Sequence, residues 1–201
     1  DFHNLAGTKF TPRLNFKYDV TPKTIVRLSA GKGFRTANVF AENQHYFASN
    51  RQFEIIENGG DVYGLKPEIA WNYGLSLQQE FRLFNRKSSI VADFFRTDFK
   101  NQVIVDLDQS THKLLLYNLE GESYANSFQT QWDVTPAKNL DLRIAYKYYN
   151  VETDYLSGKK QAPFMARHRG FFNVAYATNK TDKGGFWSFD TTVNWVGKQR
   201  I

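Results

Sequence analysis

Phe10-Thr11-Pro12-Arg13-Leu14-Asn15-Phe16-Lys17-Tyr18-Asp19-Val20 is the stretch on which the fold turns. Its even positions are apolar or proline, and the odd positions between them are polar. Successive side chains of an extended chain point to opposite faces, so the segment predicts a strand with one greasy and one polar side. The same period returns in Ile69, Trp71, Tyr73, Leu75 and Leu77, in Leu140, Leu142, Ile144, Tyr146 and Tyr148, and in Trp187, Phe189, Thr191, Val193 and Trp195. Weaker versions occupy 24–34, 89–100, 123–134 and 168–178, which makes about eight strands. No stripe at i, i+3, i+4, i+7 persists over the ten or so residues a helix needs, and the chain reads as all-β.

The connections alternate in length. Those at 19–23, 82–88, 133–139 and 179–185 are short, whereas 35–66, 106–113 and 153–166 are longer. Two short ones nearly repeat, Asp19-Val20-Thr21-Pro22-Lys23 and Asp133-Val134-Thr135-Pro136-Ala137, where proline presets φ for a turn. Antiparallel up-and-down strands with all tight turns at one end produce such sorting. The strands approach about ten residues, near the roughly 9 to 11 that cross a bilayer at a tilt. Ring pairs such as Phe10 with Tyr18 and Trp187 with Trp195 sit near strand ends, as aromatic girdles do. The opposite face, with Arg13, Lys17, Arg27, Gln129, Arg143 and Asp190 among others, suits a wet lumen. The expected architecture is a transmembrane β-barrel. An open sheet would leave backbone groups unsatisfied in lipid, so the strands either close on themselves or belong to a larger closed barrel.

Composition excludes several alternatives. The 201 residues carry 18 Phe, 11 Tyr and 4 Trp at a mean hydropathy of −0.55, too aromatic for disorder. The net charge is +6, but 26 Lys and Arg are scattered among 20 Asp and Glu with no basic block, so no nucleic-acid partner is expected. There is no cysteine, hence no disulfide and no thiolate metal site. The four histidines, His3, His45, His112 and His168, show no metal-ligand spacing. Gly31-Lys32-Gly33 lacks the third glycine of a dinucleotide turn, and no nucleophile elbow occurs. No catalytic residue, metal or cofactor is assigned, and no enzyme is expected.

Several segments carry a family resemblance. Arg27-Leu28-Ser29-Ala30-Gly31-Lys32-Gly33-Phe34-Arg35-Thr36-Ala37-Asn38-Val39-Phe40-Ala41-Glu42-Asn43 resembles the barrel segment of TonB-dependent outer-membrane receptors that enters a large extracellular loop. Leu65-Lys66-Pro67-Glu68, followed by Trp71-Asn72-Tyr73-Gly74-Leu75, resembles the returning strand of the same family. Asn118 to Phe128 is similar to its N-x-x-G…S strand opening, and Pro163-Phe164 with Arg167-His168-Arg169 is a further match. The resemblance implies a bacterial outer-membrane location and a barrel of about 22 strands around an N-terminal plug. It implies energised uptake of a scarce nutrient such as a metal chelate, cobalamin or glycan, driven by the TonB complex through a region ahead of the plug. Neither the plug nor the family's terminal aromatic strand is recognisable in residues 1–201, so the expectation is a partial barrel. Such a fragment would contact outer-membrane lipid and could self-associate through its open edges.

The 35–66 connection is the leading candidate for ligand contact, because binding residues collect on loops held by a rigid scaffold. Arg35, Asn38, Glu42, Asn43, His45, Tyr46 and Tyr63 are its expected ligand-binding residues, polar groups set among rings that suit a bulky, partly apolar ligand. The competing reading makes it a loop that merely closes the mouth. The shorter loops at 106–113 and 153–166 are expected on the same extracellular side. Two other assignments fit the alternation: a complete eight-stranded barrel with a structural or adhesive role, and a soluble β-sandwich that binds carbohydrate. The first requires the opening strand to pair with the last; the second requires Leu142, Ile144 and Tyr146 inside a core.

Overall fold

The computed structural model describes residues 1–4, 7–182 and 184–200. In chain order its strands are β1 (Phe2–His3), β2 (Gly7–Thr8), β3 (Arg13–Thr21), β4 (Thr24–Arg35), β5 (Gln52–Ile56), β6 (Glu68–Leu83), β7 (Arg86–Lys100) and β8 (Val103–Asp106). There follow β9 (Lys113–Asn118), β10 (Ser123–Ala137), β11 (Leu140–Tyr155), β12 (Gly158–Gln161), β13 (His168–Ala177) and β14 (Ser188–Val196). Eight of them form an antiparallel meander in the order β14-β13-β11-β10-β7-β6-β4-β3, with β12 paired antiparallel to the end of β11. All eight long strands expected from the alternation are present. The longest, β6 and β11, have 16 residues each.

Register shows why alternation was so informative. Phe16, Leu28, Leu75, Phe94, Phe128 and Tyr148 are aligned partners in one row across six neighbouring strands. The row of opposite parity beside it contains Lys17, Arg27, Ser76, Asp93, Gln129 and Lys147. Nothing among the described residues covers the apolar face: Leu14 is 69% exposed and Phe189 59% exposed. Ile144 and Tyr146 also lie exposed rather than inside a second layer, against the sandwich reading. Nor do β3 and β14 pair with each other, so the sheet does not close into an eight-stranded barrel.

The tight turns lie together at one end of the sheet. Phe84 and Asn85, at φ 51° and 59°, make a two-residue hairpin between β6 and β7, and Asn139 at φ 63° serves the one between β10 and β11. The near-repeated Asp-Val-Thr-Pro segments both sit at register shifts. They differ in one respect from the expectation of two proline turns. Pro22 does occupy the turn, whereas Pro136 is still within β10 and the reversal falls at Lys138 and Asn139. A bulge needs no ladder hydrogen bond there, so it accommodates a residue without an N–H.

The loop end departs further from the expectation. The connections between β4 and β6 and between β7 and β10 are not irregular. They contribute β5, β8 and β9, which form a separate sheet in the order β5-β9-β8, with β5 parallel and β8 antiparallel to β9. A short helix α1 (Val39–Glu42) and a 3-10 turn, Gln44–Ala48, precede β5. We refer to this assembly of residues 36–67 and 101–122 as the cap.

Candidate functional site

The cap contains the best-packed part of the molecule. β9 carries the apolar run Leu114-Leu115-Leu116-Tyr117, covered on both faces. Leu114 and Leu116 are fully buried with Ala37, Val39 and Leu65, and Tyr46, Phe53, Ile55, Val103, Val105 and Leu107 pack around them. Tyr117 faces the other way, toward Ile104, Leu119, Leu115 and Tyr155. The two loops thus share one hydrophobic core and neither could bury its half alone.

Polar side chains fasten the cap to the sheet. Asn118, only 2% exposed, accepts from the Lys66 amide at 2.7 Å and donates to the carbonyls of Lys66 and Asn101 at 3.0 and 2.7 Å. Buried Glu68 accepts from the Val103 amide at 2.7 Å and is ion-paired with Arg35. Ser123 donates to Gln102 at 2.5 Å and shares a hydrogen bond with Thr153 at 3.0 Å. At Gly121 a Cβ would come within 2.7 Å of the Asp154 Cβ, so the chain can pass there only without a side chain. Arg35, Lys66 to Glu68 and Asn118 to Ser123, the segments that carried the family resemblance, therefore meet where the strands leave the sheet.

Beyond these junctions, Arg51 donates to the carbonyls of Leu107 and Ser110 at 3.0 and 3.3 Å, tying β5 to the 107–112 turn. Fully buried Asp106 accepts from the Tyr117 hydroxyl at 3.0 Å and the Asp108 amide at 2.9 Å. Burial pushes the Tyr117 phenol above its ordinary range, and its hydroxyl also accepts from the Leu156 amide at 3.2 Å. Asp108 pairs with Lys160 at 2.8 Å and with Arg200, joining the cap to the 156–167 connection and to the segment after β14. The Lys160 hydrogen bond, with Arg200 added, holds the Asp108 carboxyl below the usual carboxylate range.

Most of the expected ligand residues are occupied in building this unit. Arg35 bridges Glu68 and Glu42, the latter at 3.3 Å. Asn38 caps α1, accepting from the Ala41 amide at 3.3 Å, while its own amide donates to Glu42 at 3.0 Å. Asn43 is buried and donates to the Val39 carbonyl at 2.8 Å. His45 and Tyr46 lie ring against ring with centroids 3.9 Å apart, and Tyr46 also packs on the core. Tyr63, at φ 54°, presents its ring edge-on to Phe40 at 5.2 Å.

What the cap does expose is aromatic. Phe40, Phe47 and Tyr63 are 38%, 54% and 42% exposed; Phe40 and Phe47 pack on Phe53, with Phe47 and Phe53 centroids 4.7 Å apart, and Tyr63 joins the group through Phe40. Phe40, Phe47 and Phe53 were not singled out from sequence, although β5 alternates in the manner of a short strand and could have placed Phe53. Such a group of exposed rings can pack on a flat, partly apolar ligand. Among the described residues no group of histidine and acidic side chains could hold a metal ion.

The whole chain, residues 1–201, matches the family model described as "TonB dependent receptor-like, beta-barrel". No curated protein matches the sequence. Among solved structures, the fold is similar to that of the ferric enterobactin receptor PfeA of Pseudomonas aeruginosa, at 15% identity and a TM-score of 0.69 over 98% of this chain. It is also similar to the alcaligin outer-membrane receptor FauA of Bordetella pertussis, at 15% identity and 0.59 over 94% of the chain, and to the siderophore receptor PirA of P. aeruginosa, at 14% identity and 0.54 over 96%. The chain spans 29%, 30% and 44% of those three proteins, respectively. With an open eight-strand meander, greasy outside and polar inside, and a family match along its full length, the chain belongs to the TonB-dependent receptor β-barrels of the outer membrane.

Proposed function

We propose that this chain is the ligand-collecting sector of a receptor that takes up a metal chelate, a siderophore rather than cobalamin, with energy supplied by TonB through a region outside the 201 residues. In this reading the cap side faces the exterior and the tight-turn side faces the periplasm. The carrying observation is the exposed group Phe40, Phe47 and Tyr63 on a cap whose core and junctions are fully packed. Rigid rings lose little conformational freedom on binding and suit the flat metal-binding arms of a chelate. The siderophore receptors among the structural neighbours support the choice of cargo. Of the expected ligand residues, His45 and Tyr63 retain the role of direct contact in this proposal, and Arg35, Asn38, Glu42, Asn43 and Tyr46 position them.

The experiment is a titration of the full-length receptor with ferric catecholate, ferric hydroxamate and cyanocobalamin, following intrinsic tryptophan fluorescence. One ferric chelate is expected to bind, and Phe47→Ala combined with Tyr63→Ala weakens it at least tenfold. Binding of cyanocobalamin alone, or unaltered chelate affinity in the double variant, overturns the assignment.

A further inference from the structure

The turn that follows β5 contains the only Asn-Gly pair in the sequence, Asn58-Gly59. Asparagine is chemically labile where the next amide nitrogen can reach its side chain, and glycine leaves that nitrogen unshielded because it has no Cβ. Elsewhere the fold removes this freedom. Asn43 and Asn118 spend their carboxamides on hydrogen bonds, and Asn126-Ser127, the pair with the next smallest successor, is held between two neighbouring strands in β10.

Around Asn58 the arrangement is the reverse. The Asn58 and Gly60 amides both donate to the Gly64 carbonyl, at 2.8 and 2.9 Å, so the backbone is pinned on either side of Gly59. The Gly59 N–H and the Asn58 carboxamide have no hydrogen-bond partner among the described residues. Gly59, at φ 68°, is exposed to water. Nucleophile and carbonyl carbon are therefore adjacent and unengaged.

The same turn has no room for an extra backbone atom. A Cβ on Gly60 would fall 1.9 Å from the Leu65 carbonyl carbon, and one on Gly64 would fall 2.5 Å from Glu57 Cγ. Val62 bridges Leu65, and Tyr63 between them stands at φ 54°, a left-handed conformation that is costly for a bulky residue. Two carboxylates, Glu57 and Asp61, already flank the pair.

We propose that Asn58-Gly59 is a self-modification site, where the receptor ages by deamidation and the corner that carries Tyr63 comes loose. The Gly59 amide gives up its proton to hydroxide, and its nitrogen bonds to Cγ of Asn58. The Cγ–Nδ2 bond breaks, and Nδ2 takes a proton from water and leaves as ammonia. One water molecule then opens the five-membered imide at either carbonyl. Attack at Cγ yields aspartate; attack at the main-chain carbonyl yields isoaspartate, whose backbone runs through Cβ and Cγ and is one atom longer. Nothing is oxidised or reduced: one water enters and one ammonia departs. Either product adds a carboxylate beside Glu57 and Asp61, and isoaspartate also lengthens a turn too tightly packed at Gly60 and Gly64 to absorb it. The Val62–Leu65 bridge opens and Tyr63 is released from its place beside Phe40. Cargo affinity then falls with age, a consequence that rests on the chelate reading above.

The test incubates the full-length receptor in detergent at mildly alkaline and mildly acidic pH and measures conversion at Asn58 by peptide mass spectrometry, with isoaspartate identified by electron-transfer fragmentation. Conversion at Asn58 is expected to exceed that at Asn126 at least tenfold, to run faster at the alkaline pH and to yield mainly isoaspartate. Hydrogen exchange at 57–65 is expected to quicken severalfold in the converted protein. In Asn58→Gln aged in parallel it stays at the fresh value, because glutamine keeps the amide but would have to close a six-membered ring. Asn58 intact after alkaline incubation, equal conversion at Asn126, or unchanged exchange at 57–65 after conversion overturns the proposal. Chelate titration of the same samples separates the two readings: a receptor that binds no ferric chelate even when fresh sinks the cargo assignment and leaves the modification standing, whereas equal affinity before and after conversion overturns the link through Tyr63.

Discussion

The meander and the cap solve the same problem in different solvents. In the meander, neighbours in sequence are neighbours in space, and large apolar side chains such as Leu28, Leu75 and Phe94 remain exposed because hydrocarbon is to cover them. In the cap, residues about 60 positions apart pair in parallel, Gln52 with Lys113 through Ile56 with Tyr117, and Leu114 and Leu116 are sealed by protein. The first arrangement relies on lipid outside to cover its apolar face. The second carries a core of its own, as a water-exposed unit must. Rigidity at the loop end therefore comes from the cap's packing and not from the barrel.

That contrast breaks most clearly at Leu116. Leu116→Asp puts an unpaired carboxylate into the shared core, at a cost that no local relaxation offsets, and even Leu116→Ala is expected to cost about 2–5 kcal/mol. The cap should open as a unit while the sheet persists. In limited proteolysis, cleavage within 36–67 and 101–122 is expected to appear together, with unchanged far-ultraviolet signal from the sheet. Leu75→Ala, on the outward face, should leave both loops resistant. Cleavage confined to one loop in Leu116→Asp would show that the two do not share a folding unit.

The same contrast explains what could be read in advance. Alternation over ten residues is a local signal, and a row such as Phe16–Leu28–Leu75–Phe94 repeats it strand after strand, so the meander and its two faces were legible. The cap's strands are short and paired across long separations. Leu114-Leu115-Leu116-Tyr117 alternates in nothing because both its faces are buried, and only its bounded apolar run marked it. The candidate residues failed to separate for a related reason. Asn38 and Asn43 are polar groups in a loop whichever role they have, and only coordinates reveal that a cap and a buried amide consume them. Arg35 was read as a ligand contact, and its partner Glu68 lies 33 residues on, a separation that no local pattern reveals.

A smaller effect sharpens the comparison at the seam between the two regions. Asn118→Ala removes one acceptor and two donated hydrogen bonds, leaving the Lys66 amide and the carbonyls of Lys66 and Asn101 without their partner. A lost buried hydrogen bond typically costs about 1–3 kcal/mol. Hydrogen exchange should quicken at Lys66 and in β8 and β9 together, with β10 below Ser123 unaffected. Acceleration spreading down β10 would mean that the cap and the meander are one cooperative body, not two joined by a few side chains.

The smallest effect is also the most specific, because it concerns pH. Asp108 ties the cap to Lys160 and Arg200, and its carboxyl is held below the ordinary carboxylate value by the Lys160 hydrogen bond first and by Arg200 after it. A group depressed in this way contributes stability that is present above its unfolded value, about 4, and is lost as pH falls through the lower folded value. The contribution is that of a partly exposed ion pair, below about 1 kcal/mol. Protection of the 156–161 amides should therefore be constant from neutral pH down to about 4 and decline below it. In Asp108→Asn the decline should vanish, with protection already lower at neutral pH and converging with the native protein in acid. Other carboxylates nearby, Glu122 on Lys159 among them, are unchanged between the two proteins, so the difference between the two curves isolates Asp108. A variant that keeps the acid-dependent step would assign it to one of those pairs or to the seam where the Leu156 amide donates to the Tyr117 hydroxyl.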